Sequence, residues 1–358
     1  MQYQNFSTEH EELQETTGEI LNDVKNGKRV KWRERRLDVI RLKEVYQRIG
    51  NDRKVVRLAK CSTVLKFVVL PDGGKKLVRA NFCKCRLCPM CMWRRSRKMF
   101  GQLSKIMNAI EEQKKYRYIF VTFTQKNVKG HELKNELNKI MLAIHDKLQK
   151  DKRFKAISKG WFRSLEITYN WERGNFHPHL HMIIAVEPEY LEKKVMYIDR
   201  DEWIRLWQEC MELDYLPSVK VRAVTDKDLA KIPELREERR KRNEEIQRRF
   251  ENGEMNFKSI VSEMGKYTLK SGNIIRDDNK PVTDYVVGTL DEVLHKRQLA
   301  GFSGIFWDMH RKLKLDDMTN GNLVDTHNDD DKERSDLLLM TETYKWFDSI
   351  KDFVMIGK

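Results

Sequence analysis

No run of residues in this 358-residue chain approaches the apolar length of a membrane-spanning helix, which needs about 20 consecutive apolar residues. The N-terminal stretch MQYQNFSTEHEEL lacks the basic-then-apolar pattern of a secretory signal. No GxxxxGK loop followed by Ser or Thr is present, so the chain has no recognisable nucleotide-driven motor for separating DNA strands. No internal repeat recurs. These absences argue against a membrane-spanning, exported or helicase-like protein and set the expectation of a cytoplasmic one.

What is present is charge. Lys and Arg number 70 against 55 Asp and Glu, a net charge of +15, so the expected partner is a polyanion. No basic amphipathic helix has an aromatic face long enough to favour a membrane surface, which leaves nucleic acid. At 40% hydrophobic residues a full core is still available.

Cysteine is scarce and clustered. Five of the six, Cys61, Cys83, Cys85, Cys88 and Cys91, fall in one short stretch, with Cys210 apart. Without an export signal, such a cluster reads as a metal site rather than a disulfide framework. Cys88-Pro-Met-Cys91 is a CxxC knuckle, and Cys61, Cys83, Cys88 and Cys91 form a candidate tetrahedral structural zinc site, in which Cys85 is an alternative to Cys61 or Cys83. The following WRRSRK opens a helix whose Arg94, Arg95 and Arg97 are expected to contact DNA phosphates.

Periodicity sketches the rest. Leu42, Val45, Tyr46 and Ile49 recur at helical spacing, with Gly50 as a C-terminal stop. LKFVVLPDGGKKLVRANF reads as a hairpin, and a helix is expected from Trp93 to about Gln113. Strands are expected over residues 115–128, over WFRSLEITYNW and over NFHPHLHMIIAV, the last two joined antiparallel by a short turn at Gly174-Asn175. A helix over about 131–150, another around RDEWIRLWQECMELD and a strand at SVKVRAV complete this part. Residues 226–252 are almost all charged, with Glu-to-Arg and Glu-to-Lys pairs at i,i+4, which predicts a solvated helical insertion without chemistry.

In NFHPHLHMIIAV, strand alternation puts His177, His179 and His181 on one face and Leu180, Met182 and Ile184 on the other. Residues two apart on a strand lie roughly 6.5–7 Å apart, within reach of one metal ion for two imidazoles. If SLEITY pairs alongside, Glu166 shares that face with Ser164 and Thr168. Glu166 is then the preferred third ligand, suited to Mg²⁺ or Mn²⁺, with His177 the alternative. A metal with open positions serves phosphoryl-transfer chemistry. Further on, SEMGKYTLKS aligns Glu263, Lys266, Tyr267 and Lys270 on one helical face, which by itself reads as an ordinary exposed face, although a tyrosine, flanking lysines and a glutamate are also the groups that attack on a phosphodiester needs.

In order, FVTFTQKN, HPHLHMII and EMGKYTLK resemble the three motifs of rolling-circle plasmid replication initiators of the HUH endonuclease superfamily, in the branch with one tyrosine and a glutamate four residues before it. FCKCRLCPMCMWRRS is similar to that branch's cysteine-rich region, and the resemblance spans roughly residues 55–310. It implies an α+β fold with a central antiparallel sheet and flanking helices, preceded by a zinc module. It implies that His179 and His181 hold a catalytic Mg²⁺ or Mn²⁺. Tyr267 would nick the double-strand origin, leaving a 5′-phosphotyrosine and a 3′-OH primer, and Glu263 would direct water at termination. Implied partners are origin DNA, double- and single-stranded, with a host helicase and DNA polymerase in a bacterial cytoplasm; self-association stays open. Departures are the insertion at 226–252 and the extra Cys85.

The expected organisation is an arm and basic helix (1–54), a cysteine-rich region (55–114), a nicking domain (115–310) and an acidic C-terminal tail (311–358). Alternatives are a mobilisation relaxase or single-strand transposase, although relaxases usually carry the tyrosine before the histidines, or a non-catalytic zinc-dependent DNA-binding regulator.

Overall fold

A computed structural model describes residues 18–25, 27–71, 73–193, 196–224, 274–326 and 340–358. It is α+β with antiparallel sheets, as the sequence predicts, and divides into two compact units. The boundary falls at Arg94–Arg95, inside one long helix, and not at residues 114–115. Among the described residues no helix is long and apolar enough to cross a membrane.

The first unit runs to Arg94 and takes back Leu323–Asp325 and the C-terminal strands. After a two-residue β-pair, β1 (Val24–Lys25) and β2 (Lys28–Arg29), helix α1 (Trp32–Arg48) ends before Gly50, whose φ of +72° suits the residue that stops a helix. Helix α2 (Asp52–Ala59) follows, capped by the Asn51 side chain on the Lys54 N–H. The predicted hairpin forms as β3 (Val64–Val69) and β4 (Lys75–Ala80), with Gly73 at φ +78° in its turn.

The C-terminal segment corrects the expectation of a tail. Residues 341–357 form β10 (Thr341–Phe347) and β11 (Asp352–Gly357), and the sheet order is β11-β10-β3-β4. Alternate residues of TETYKWF are apolar and aromatic, and they bury Tyr344 and Trp346 beside Phe67 and Phe353. The Trp32 ring packs edge-on against Phe67 and ties α1 to this sheet.

In the second unit, α3 (Pro89–Gln113) leads to a five-stranded antiparallel sheet of order β8-β5-β7-β6-β9. Its strands are β5 (Arg117–Thr124), β6 (Gly160–Asn170), β7 (Asn175–Val186), β8 (Val219–Ala223) and β9 (Ala300–Gly304). The histidine strand β7 is central, flanked by β5 and β6 along its length. The β6–β7 turn is closed by Gly174 at φ +63° and by the Asn170 side chain, which accepts from the Glu172 and Arg173 N–H groups.

Helices cover both faces. On one side lie α4 (Gly130–Leu142), a π turn (Ala143–Lys147) where the sequence predicts continued α-helix, α5 (Lys152–Ile157) and α7 (Arg200–Met211). There Phe123 packs on Trp203 and Trp207. Between β7 and α7 lies the short α6 (Pro188–Glu192). Helix α8 (Lys280–Val293) follows the undescribed stretch 225–273. On the other side α3 and α9 (Ile305–Lys312) close over Tyr118, Phe120, Phe162, Ile183 and Ala185. Each such side chain contributes about 1.5–3 kcal/mol on leaving water.

The start of the expected tail is also docked. Lys98, fully buried, pairs with Asp316 and donates to the Asn322 carbonyl, while Gln102 donates to both an oxygen of the Asp316 carboxylate and its backbone carbonyl.

Candidate metal centres and their surroundings

The histidine face of the sheet has two halves. From Ile183 onward it is apolar and covered, while toward the β6–β7 turn it carries polar side chains. Register builds the polar half row by row. Ser164, His181, Thr122 and Lys220 form one row across β6, β7, β5 and β8; Glu166, His179 and Thr124 form the next; Thr168 and His177 the third. Glu166 therefore stands on the histidine face, where the alternation of SLEITY places it.

His181 is 5% exposed and held on both ring nitrogens. Its Nε2 lies 3.0 Å from Glu166 Oε2 and its Nδ1 3.1 Å from the Thr122 hydroxyl. The ring can carry its proton on Nε2, donating to Glu166, or on Nδ1, donating to the Thr122 hydroxyl and leaving Nε2 free to ligate a metal. Phe120 stacks on the same ring, 5.8 Å between centroids. The His179 ring is nearly parallel to that of His181 at 6.1 Å, and His177 sits 4.0 Å from His179.

Burial, reinforced by the neighbouring His177, lowers His179 to about 4. It is a neutral imidazole at pH 7, the form that ligates metals. His177 is lowered more modestly, again by burial, and its ring hydrogen-bonds the Gln125 backbone.

His179, His181 and Glu166 share this face, but their ligand atoms do not all lie within 4.8 Å of one another, so the three are not gathered as one ligand set. Two ligands bound at about 2.1 Å and at right angles stand about 3 Å apart, close to the 3.0 Å between His181 Nε2 and Glu166 Oε2.

The second centre lies in the first unit. Cys61 follows α2, Cys83 follows β4, and Cys88 and Cys91 straddle the start of α3. Their sulfurs all lie within 4.8 Å of one another, the only such group of ligand atoms among the described residues. Separations are 3.5 Å for Cys61–Cys88, 3.7 Å for Cys61–Cys91 and 3.6 Å for Cys83–Cys91. A tetrahedral ion with Zn–S bonds of about 2.3 Å sets sulfurs about 3.8 Å apart, so the four thiols can hold a metal such as zinc. All six cysteines are free thiols.

Hydrogen bonds from neighbouring thiols, Cys61 foremost, bring Cys83 down to about 5, whereas burial raises Cys88. Cys85 is buried beside the cluster, its N–H directed at Cys83 Sγ, and its own thiol is pushed up by Cys83 and by burial.

Two arginines that sequence reasoning missed brace this centre. Buried Arg36 donates to the carbonyls of Leu58, Ala59 and Cys61, and Arg57 donates to that of Cys83. Nothing in the basic run around Arg36 marks it from its neighbours. The signal lies in its burial, which only folding reveals.

Two of the expected phosphate contacts need correction. Arg94 and Arg95 are each 5% exposed. Arg94 donates to the Leu323 and Val324 carbonyls and Arg95 to the Thr319 carbonyl, so both guanidiniums hold backbone. Arg97 is half-buried. Glu263, Lys266, Tyr267, Lys270 and the charged stretch 226–252 lie outside the described residues.

Comparison with known proteins adds to this geometry. The Rep_1 family model, described as replication protein, matches residues 74–354. The chain is 35% identical over 350 residues to Protein rep of Bacillus amyloliquefaciens, covering 94% of this chain and 97% of that one. It is 34% identical over 329 residues to Protein rep of Lentilactobacillus hilgardii (91% and 96% covered). To Protein rep of Streptococcus pneumoniae serotype 2 it is 32% identical over 316 residues (87% and 89% covered). No solved structure matches it.

Proposed function

The chain belongs to the Rep_1 family of replication proteins, and on that footing we propose that it initiates plasmid rolling-circle replication by a site-specific nick at the double-strand origin. The observation that carries the reading is the His181–Glu166 pair beside neutral His179, on a central strand with its polar half toward the turn. With Tyr267 and Glu263 in the same chain, this is the residue set of an HUH-type nicking and joining enzyme.

His179, His181 and Glu166 would hold a Mg²⁺ or Mn²⁺, which when bound supplies charge neutralisation at the scissile phosphate. Tyr267 Oη forms a bond to phosphorus as the bond to O3′ breaks; the phenol proton is lost and the leaving oxygen ends as a 3′-OH. Lys266 and Lys270 favour the phenolate of a group whose free pKa is about 10. The phosphotyrosine conserves the energy of the broken bond for rejoining. Glu263 serves at termination as base to a water, making release hydrolytic. The Cys₄ centre, loaded with zinc, supports origin binding rather than chemistry. A host helicase and polymerase complete the cycle.

The test is incubation of the chain with Mn²⁺ and a supercoiled plasmid bearing its origin. Open circles with a covalent 5′ adduct are expected, and Tyr267→Phe abolishes both. Nicking by Tyr267→Phe at the wild-type rate would overturn the assignment.

A further inference from the structure

Beside the histidine rows, the sheet edge at β8 carries a strip of largely exposed groups that the nicking chemistry leaves unused. Lys220 stands in the row of Thr122 and His181, two strands from the latter, on the histidine face of the edge strand. Strands are spaced about 4.8 Å apart, so Lys220 stands about 10 Å across the sheet from the histidine strand.

The loop before β8 is tied to the end of β5. The Thr124 N–H and hydroxyl both donate to the Ser218 carbonyl, at 3.1 and 2.7 Å, and the Lys126 N–H donates to the Tyr215 hydroxyl at 2.9 Å. Lys126 lays its ammonium over the Tyr215 ring, 3.9 Å from the centroid. Leu216 is 71% exposed, the most exposed large apolar side chain among the described residues, and it precedes a buried Pro217. A residue before proline is held extended, so Leu216 is presented to solvent rather than left to collapse.

Two cations, an aromatic ring and a projecting apolar side chain, fixed by hydrogen bonds to the strand that flanks His179, match what single-stranded DNA asks of a protein: ammonium groups for the backbone and apolar surface for bases free of pairing. Glu136 and Asp214 are the acidic neighbours of Tyr215. The Lys126 ammonium over the same ring offsets their charge, so phosphates fall to the two lysines and a base to Leu216.

We propose that Lys126, Tyr215, Leu216 and Lys220 form a seat for the single-stranded DNA flanking the nick, feeding the strand across the sheet edge to the histidine face. This deepens the nicking reading and rests on it.

The test uses the full chain and a fluorescein-labelled oligodeoxythymidine of about 16 nucleotides, followed by anisotropy over a range of salt concentrations. The Lys126→Ala/Lys220→Ala variant is expected to bind roughly tenfold more weakly. Its log–log salt slope should be shallower by about 1.4, since each phosphate contact on a single strand contributes about 0.7. Leu216→Ser should weaken binding about threefold at an unchanged slope, because a base contact displaces no counterions. All three positions are surface ones, and unchanged thermal melting checks the fold.

Wild-type affinity and slope in the double variant overturn the seat. So does an equal loss on a blunt duplex of the same length, which would assign the strip to the duplex. Plasmid nicking by the same preparations reports separately on the underlying reading. Wild-type nicking alongside unaffected single-strand binding in the variants sinks the seat alone. A wild-type chain that binds the oligonucleotide through these lysines yet never nicks sinks the nicking reading alone.

Discussion

His181 shows how much a single side chain can be read from its strand. Alternation in NFHPHLHMIIAV and SLEITY sufficed to bring the imidazole and the Glu166 carboxylate to one face, and the structure holds them at 3.0 Å. The Thr122 hydroxyl on the other ring nitrogen was not legible, because it depends on β5 lying next to β7 and on the register between them. A Glu166→Gln variant keeps the shape but removes the charge. The Mn²⁺ concentration for half-maximal nicking should rise about 10–100-fold, the scale seen when a metal site loses a supporting carboxylate. Thr168→Val, one row further out on the same face, should leave it unchanged. An equal shift in both variants would mean that the face as a whole, and not this carboxylate, sets the metal response.

The long helix α3 illustrates where charge misleads. WRRSRK reads as a phosphate-binding surface because basic residues are normally solvated, and burial of three of them is not visible in a linear pattern. The structure turns Arg94, Arg95 and Lys98 inward, where they satisfy carbonyls and the carboxylate of the chain around residues 316–324. Arg95→Ala leaves a buried carbonyl without its charged partner and should cost about 1.5–3 kcal/mol of stability in urea titration. A DNA-binding defect in Arg95→Ala at wild-type stability would restore its role as a phosphate contact. Strand β7 poses the opposite problem: its MIIAV half is buried on both faces, so alternation fades where packing is tightest.

Across the whole chain, the two units interleave in sequence. The first is completed by strands more than 250 residues away from its hairpin: β10 pairs with β3 from Thr341↔Val68 to Lys345↔Val64. Removing residues 341–358 would expose Leu65 and Phe67 and leave a two-stranded hairpin, which is marginal alone. Such a truncated chain should bind less than one zinc per chain after purification without added metal, and should lose origin binding with it. Full-length protein is expected to carry one zinc through Cys61, Cys83, Cys88 and Cys91, and Cys88→Ser to carry none. Full zinc retention in the truncated chain would show that the cysteine module stands without its C-terminal strands.

Local pattern was enough for strands β3 to β8, for helices α1, α3, α4 and α7, for the cysteine knuckle, for the shared face of Glu166 and the histidines, and for the ordered motifs that led to the replication-protein family. Those features depend on short-range rules: period-two alternation, helical spacing, turn residues and ligand spacing. The closure of the cysteine module by the C-terminal strands, the inward turn of Arg94 and Arg95, the bracing of Cys61 by Arg36 and the row linking Lys220 to His181 all join residues far apart in the chain. Register and burial create those contacts, and neither exists until distant segments have packed.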